Sequence, residues 1–453
     1  MDCRNDFARG TKQSIFFFTL FSILVFGESL ASADDFDLPD DVQSAEVVRF
    51  VPIEATSTGE NSDESNDVKD TPTAFRVRKI PEDLDRPLRV GIFTGVTELY
   101  LKYQGETVRV TATRSKVKFE SGDHFTEDIS REFNSAPGEG NGGCLAVAPD
   151  MKSLGKACYP GSVLFRNSGG KLDAINSVDV EDYLRGVVPY EIGKLDSGRI
   201  EALKAQAVAA RTYAYKHFGS REALGFDVYA DTKDQVYKGL ESATTLTDAA
   251  VKATAGVVMT YNGEFIIAYY HSTCGGITET LATWNREDLP YLKSVDDLRP
   301  GGKPWCDESS YTRWERRFAV KEIARLFKSN ATEAKAVFSE PKGKDFNKVK
   351  SIRVKDKLKS GRIMTLRVET DKGHFDVLTD RTRWLFKKGG TILPSSFFNV
   401  KKEGKEWVLT GTGFGHGVGM CQMGVRARAQ AGQSYRQILS HYYQGITLER
   451  FER

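Results

Sequence analysis

Alternation of apolar and polar residues marks where ordered structure begins. Leu88-Arg89-Val90-Gly91-Ile92-Phe93 and Leu99-Tyr100-Leu101-Lys102-Tyr103 carry the two-residue period of strands, and the same pattern continues from Val108 to Phe119. The period then changes. Ile200, Leu203, Ala207, Ala210 and Ala214 recur at helical spacing and predict a helix from about Arg199 to Phe218. Asp196 or Ser197 can cap its start and Gly219 can end it. The small residues on that face let a neighbouring element approach closely. Before it, Asp179 to Leu184 reads as a short capped helix leading into a loop that holds Glu191.

Further along, Leu246 to Thr254 predicts a helix. A hairpin follows, from Val257 to Tyr261 and from Phe265 to Tyr270 around the Asn262-Gly263 turn. Between Arg313 and Val400 one helix (Val320 to Phe327) is mixed with strand-like runs at Ile352 to Val354, Ile363 to Glu369 and His374 to Leu378. The C-terminus offers a glycine-rich loop and two helices, the last opened by the capping box Ser434-Tyr435-Arg436-Gln437 and closed by Gly445. Strands and helices do not alternate as βαβ units. The expected class is therefore α+β: a mixed, strand-rich body with a long Ala-rich helix beside the site and two C-terminal helices.

Composition divides the chain of 453 residues. Arg4, Arg9 and Lys12 precede an apolar run from Ile15 to Phe26, and Ala31-Ser32-Ala33 fits a cleavage site, so residues 1–33 read as an export signal peptide; the alternative is an uncleaved anchor, the one case in which the protein would meet the membrane. Residues 34–72 carry 12 acidic and two basic residues, the composition of a disordered tether, which we place at 34–86. Residues 1–33 are neutral and the whole chain is +2, so residues 73–453 carry +12. A basic body suits an anionic partner, and for an exported protein that points to the cell wall rather than nucleic acid. Residues 87–453 are expected to form the folded part, with room for two lobes. Cys144 with Cys158, and Cys274 with Cys306, are candidate disulfides in an oxidising compartment, which leaves Cys421 over.

Three clusters could carry chemistry. Glu191 lies in Val187-Val188-Pro189-Tyr190-Glu191-Ile192-Gly193. Apolar neighbours favour its neutral form, whereas a following helix N-terminus would favour the carboxylate. The second cluster is His271-Ser272-Thr273-Cys274-Gly275-Gly276, whose glycines allow close backbone approach. His271 and Cys274 have metal-like spacing, but a structural zinc needs four ligands and Cys306 supplies only a third. The third cluster runs from Gly411 to Gly424 through Gly413-Phe414-Gly415-His416-Gly417-Val418-Gly419. It fits neither a dinucleotide fingerprint nor a P-loop. Either a tight structural turn or a rigid floor for an extended ligand explains it, with His416 and Gln422 as polar contacts.

Four ordered blocks carry a resemblance: Asp179 to Glu191, Ala202 to Ala214, Ser272 to Gly276, and Gly413 to Met420. Over roughly residues 88–449 the chain resembles the sporulation stage II protein D family, also called the amidase-enhancer family. Tyr190 stands where the family often has a smaller residue, Ile192 replaces a common methionine and Cys421 a common serine. The resemblance implies a peptidoglycan lytic transglycosylase that forms 1,6-anhydro ends, with Glu191 as catalytic acid. It further implies glycan strands stripped of stem peptides as substrate. Arg211, Tyr213, Ser272, Thr273, Gly275, Gly276, His416 and Gln422 are the expected substrate-binding residues. No cofactor is required; some members carry zinc near the second cluster, so a structural zinc is allowed, with its ligands unknown. The competing reading is a non-catalytic wall-binding enhancer of an amidase. Under either reading the protein works in the periplasm or cell wall, or is secreted.

Overall fold

The structure, a computed structural model, describes residues 75–135, 143–340 and 343–452. The segment expected to be a signal (1–33), most of the expected tether and the glycine-rich part of the loop from Ser135 to Gly143 lie outside them. The first alternating runs form strands Leu88–Val96 and Glu98–Tyr103. Leu88–Val96 pairs antiparallel with Lys171–Val178 and parallel with Val228–Tyr229 in a five-stranded sheet. Glu98–Tyr103 belongs to a six-stranded antiparallel sheet. The run from Val108 to Phe119 is broken there into Glu106–Ala112 and Val117–Ser121, because Thr113 and Lys116 close a turn between them. Val90, Leu99, Leu101, Val110, Val163 and Phe165 are all fully buried between these sheets. Cys144 and Cys158 are joined as a disulfide, as the spacing suggested.

Folding begins before Pro87. Strand Arg76–Lys79, in the segment expected to be tether, pairs in parallel with the C-terminal strand Thr447–Glu452. Local pattern could not show this, since the partner is more than 370 residues away.

Helix α1 spans Val180–Glu191, with Asp179 accepting from the Glu181 backbone N–H as its N-cap. The expected helix at 199–218 is α2, Ile200–Lys216, and its alanines are buried. Helix α3 (Thr245–Ala253) is opened by a capping box at Thr244 and Thr247. The hairpin after α3 is shorter than expected. Asn262 and Gly263 adopt positive φ (52° and 83°) and turn Val257–Tyr261 into Glu264–Phe265. The chain then leaves that sheet, and Tyr270–His271 pairs in parallel with Met420–Cys421.

A second hydrophobic core lies between Trp314 and Leu409. Helices α4 (Val320–Asn330) and α5 (Thr382–Leu385) pack there with a three-stranded and a four-stranded sheet around Phe327, Phe375, Phe386 and Phe398. The chain returns to the first core through α6 (Gln422–Gln430) and α7 (Tyr435–Tyr442), the latter opened by the Ser434–Gln437 capping box. The class is mixed α+β with strands predominant. Among the described residues no helix is long and apolar enough to cross a membrane.

Candidate functional site

Glu191 is the last residue of α1 rather than part of a loop before α2. This changes its electrostatics, because a helix C-terminus carries the negative end of the dipole and disfavours a carboxylate. The dipole and the apolar surroundings therefore act together instead of competing. Loss of solvation raises the Glu191 pKa to about 7, against hydrogen bonds from Val236, Gln422 and Tyr270 that lower it.

Those three donors come from three parts of the chain. The Val236 backbone N–H donates to Glu191 Oε1 at 2.7 Å, and Gln422 Nε2 donates to Oε2 at 3.3 Å. Gln422 Nε2 also lies 3.4 Å from Gln206 Oε1 on α2. Tyr270 is placed by its strand pairing with Met420, the same pairing that delivers Gln422 two residues later. Gln235 Nε2 donates to the Tyr270 hydroxyl at 2.9 Å, and Gln235 Oε1 accepts from the Tyr183 hydroxyl at 3.1 Å. With one lone pair engaged, the Tyr270 hydroxyl is free to turn its own proton toward Glu191. Burial raises the Tyr270 pKa well above the usual phenol value, so that proton stays on.

No carboxylate acts on Glu191 among the described residues. Asp182 is bound by Arg185, Asp231 accepts from the Lys233 backbone, and Asp234 is held by Arg221, Tyr213 and the Tyr229 backbone. The arrangement can therefore donate and recover one proton at one carboxyl group.

Several residues expected to touch a substrate are engaged elsewhere. Arg211 is fully buried; its guanidinium forms a paired contact with Glu181 (2.7 Å at both Nε and NH2) and reaches the carbonyls of Val257 and Val251. It locks α2 against α1 and α3 and has no face for a sugar. Tyr213 is buried, stacked on His217 with ring centroids 4.0 Å apart, and donates to Asp234 at 2.8 Å. The space beside Gly275 is taken by Thr412, and that beside Gly276 by Leu298 and Pro304. These glycines permit close packing of the protein on itself rather than approach of a ligand.

The same reason explains much of the third cluster. A Cβ on Gly419 would lie 2.1 Å from the Tyr269 carbonyl, and φ is +70° there. His416 Nδ1 accepts from the Val418 N–H at 3.1 Å, and its ring packs against Trp284 and His271. Burial, with His271 and nearby arginines, holds the His416 pKa well below the usual imidazole value, so it is neutral. Ser272 and Thr273 stay close to the site. The Ser272 hydroxyl is half-buried 3.1 Å from that of Thr273, whose hydroxyl is 2.8 Å from Ser309. The Ser272 carbonyl accepts from the Met423 N–H at the start of α6. Of the expected set, Gln422 is the residue in contact with Glu191.

Sequence reading missed Tyr270, Gln235 and Val236. Gln206, a lone amide among buried alanines on α2, was the signal within reach. Cys274 and Cys306, expected as a disulfide, are free thiols with sulfurs 3.6 Å apart, and the free Cys421 lies beside them. Three thiols in one buried place fit a soft metal such as zinc better than they fit one disulfide.

A family model described as stage II sporulation protein matches residues 168–261, and a domain of unknown function (DUF8618) matches residues 301–419. The first match spans α1, α2 and α3; the second covers the second core. An uncharacterized protein of Brachyspira hyodysenteriae is 32% identical over 314 residues, covering 69% of this chain and 77% of that protein. Stage II sporulation protein D of Bacillus subtilis is 30% identical over 290 residues, 61% of this chain and 76% of that protein. The amidase enhancer of the same organism is 34% identical over 300 residues, 58% of this chain but only 40% of that longer protein.

Proposed function

From the membership of this chain in the stage II sporulation protein D family, we propose that it is a lytic transglycosylase of peptidoglycan glycan strands, with Glu191 as both acid and base. The observation that carries this reading is the Glu191 carboxyl itself: poorly solvated, with a pKa of about 7 and no carboxylate acting on it. A group with that pKa is populated in both protonation states near neutrality, as a group that alternates between acid and base needs to be.

Protonated Glu191 gives its proton to the glycosidic oxygen between N-acetylmuramic acid and N-acetylglucosamine. The bond from the muramyl C1 to that oxygen breaks, N-acetylglucosamine leaves as an alcohol carrying the proton, positive charge develops at C1, and the Glu191 carboxylate is left facing it. Val236, Gln422 and Tyr270 donate to that carboxylate and stabilise it at this stage. The carboxylate then takes the proton from the muramyl C6 hydroxyl, whose oxygen closes on C1 to form the 1,6-anhydro ring. Glu191 ends as it began. Ser272, half-buried next to the strand that carries Tyr270, is the hydroxyl proposed to position the sugar, whereas Thr273 is fully buried against Ser309. Export to the cell wall is part of the same proposal.

The name of the amidase enhancer relative supports a second reading, a wall-binding protein that stimulates an amidase without cutting glycan. One experiment separates the two. Purified protein and Glu191→Gln are incubated with glycan strands, with and without stem peptides, and the ends are read by mass spectrometry. Anhydro ends from the parent alone support the transglycosylase. Reducing ends would mean a hydrolase with another carboxylate. Intact strands that remain bound would leave the enhancer reading.

A further inference from the structure

Two arginines stand one helical turn beyond the partners of Glu191, and the proposed reaction does not use them. Gln206 on α2 and Gln422 on α6 meet beside Glu191. Arg426 follows Gln422 by four residues on α6, so both side chains leave the same face of that helix. Arg199, in the turn Ser197–Arg199 just before α2, donates from NH2 to Gln430 Oε1 at 2.8 Å, four residues further along α6. The two helices therefore run antiparallel. Their contact reaches Glu191 at one end and brings the Arg199 and Arg426 charges together at the other. We propose that Arg199 and Arg426 form a carboxylate-binding subsite for the lactyl carboxylate of the muramyl sugar that Glu191 cleaves. The assignment rests on the peptidoglycan reading above.

Uncompensated charge is the first argument. Among the described residues Arg426 makes no ion pair; its NH1 lies 3.4 Å from the Met423 sulfur. Arg199 has Asp196 and Glu308 at 3.9 and 3.8 Å, beyond hydrogen-bond length, and both of those carboxylates are exposed. The arginines themselves are half-buried, and Nε of each is buried with no partner among the described residues. Burial and the Arg199 charge hold the Arg426 pKa below the usual guanidinium value. Two like charges this poorly solvated disfavour each other, and an anion between them removes that cost. The planar fork of arginine suits a carboxylate, which it binds through two parallel N–H donors.

The second argument is position. Met423, whose sulfur meets Arg426, donates its backbone N–H to the Ser272 carbonyl. Glu308, beside Arg199, adjoins Ser309, whose hydroxyl is 2.8 Å from that of Thr273. The arginines and Ser272 thus belong to one stretch of the molecule that leads away from Glu191. One turn of α6, about 5.4 Å, separates the level of Gln422 from that of Arg426. A sugar that offers its C1 oxygen to Glu191 can therefore lay the lactyl arm on its C3 toward Arg426.

Chemistry selects the ligand. The lactyl arm of a muramyl sugar ends in a carboxylate when no stem peptide is attached, and in a neutral amide when one is. A pair of arginines tells the two apart by charge. The resemblance implies stripped strands as substrate but supplies no group that distinguishes them from peptide-bearing ones; Arg199 and Arg426 are that group.

The test reads binding by the full chain carrying Glu191→Gln, so that strands stay whole. The probes are glycan strands free of stem peptides and the same strands with their carboxylates converted to methylamides. The Glu191→Gln protein should bind the free carboxylates about 10-fold more tightly. Adding Arg426→Gln or Arg199→Gln should remove most of that ratio while the affinity for methylamide strands stays the same, a pattern that a merely structural loss would not give. Arg426→Lys should keep part of the ratio. Lys350→Gln, an exposed charge on a strand of the second core, should leave it intact. Denaturation curves check that each variant is folded. Three results overturn the subsite: no preference in the Glu191→Gln protein, a preference that survives both arginine substitutions, or an equal loss with Lys350→Gln, which would make the preference one of diffuse charge. No cleavage is read, so failure here is separable from failure of the transglycosylase reading.

Discussion

Replacing Glu191 with glutamine should make the protein more stable relative to the parent as pH rises. Glutamine keeps the size of the side chain, leaves an oxygen for the Val236 N–H and has no charge to desolvate; its amide nitrogen faces the Gln422 and Tyr270 donors, a cost of about 1–3 kcal/mol that does not change with pH. In the folded protein the carboxyl pKa is raised from 4.5 to about 7. The folded state therefore binds more protons than the unfolded one between those values, and stability falls as pH rises through that window. Below pH 4.5 both states are protonated and the term vanishes; above about 7 it is fully present as a cost. The whole difference corresponds to about 3 kcal/mol. Relative to its value at low pH, the stability of Glu191→Gln minus that of the parent should rise by about 1 kcal/mol at pH 5, about 2 at pH 6 and about 3 at pH 8. Urea denaturation of both proteins at fixed ionic strength, at several pH values from 5 to 8, measures the difference directly. A difference that stays constant across that range would refute the raised pKa, and with it the observation on which the proposed chemistry rests.

Other consequences are testable in the same preparations. Tyr270→Phe removes a donor from Glu191 and leaves Gln235 Nε2 with only the Ala210 carbonyl at 3.4 Å, at a cost of about 1–3 kcal/mol. The carboxyl pKa should rise, so the alkaline limb of the cleavage profile should move to higher pH; an unmoved limb would deny the contact. Arg211→Met should destabilise by about 3 kcal/mol, the lower end for a broken buried pair because Glu181 can rehydrate, while glycan binding by the folded protein is unchanged. Lost binding at unchanged stability would make Arg211 a sugar contact after all. Cys144→Ser opens a covalent link between residues 14 apart and should cost about 3 kcal/mol, read from the same denaturation curves.

Local rules determined much of this protein before any tertiary contact was known. The two-residue period placed the strands at Leu88 and Glu98, Asn262-Gly263 placed a turn, and Asp179 and the Ser434–Gln437 box placed two helix starts. Each depends on residues within a few positions of one another, so a linear reading contains the information. The apolar bracket around Glu191 belongs to the same group: its own neighbours already disfavour charge. Tertiary structure decided what the neighbours could not. Val236, Tyr270 and Gln422 reach Glu191 from 45, 79 and 231 residues away; the glycine-rich loop marked Gln422 as a polar contact, but nothing in the sequence marked Val236 or Tyr270 or showed that any of the three meets Glu191. Arg211 was expected as a substrate contact from the family resemblance; the packing of α1, α2 and α3 around Glu181 buries it. Glu191 proved to end one helix rather than precede another, which reversed the sign of the dipole acting on it. Parallel pairing made the other decisive juxtapositions. It joins Arg76–Lys79 to the last strand, and it sets His271 beside Cys421. Such pairing links segments that no turn connects, so its register is fixed by the packing of the whole chain and cannot be read from either strand alone.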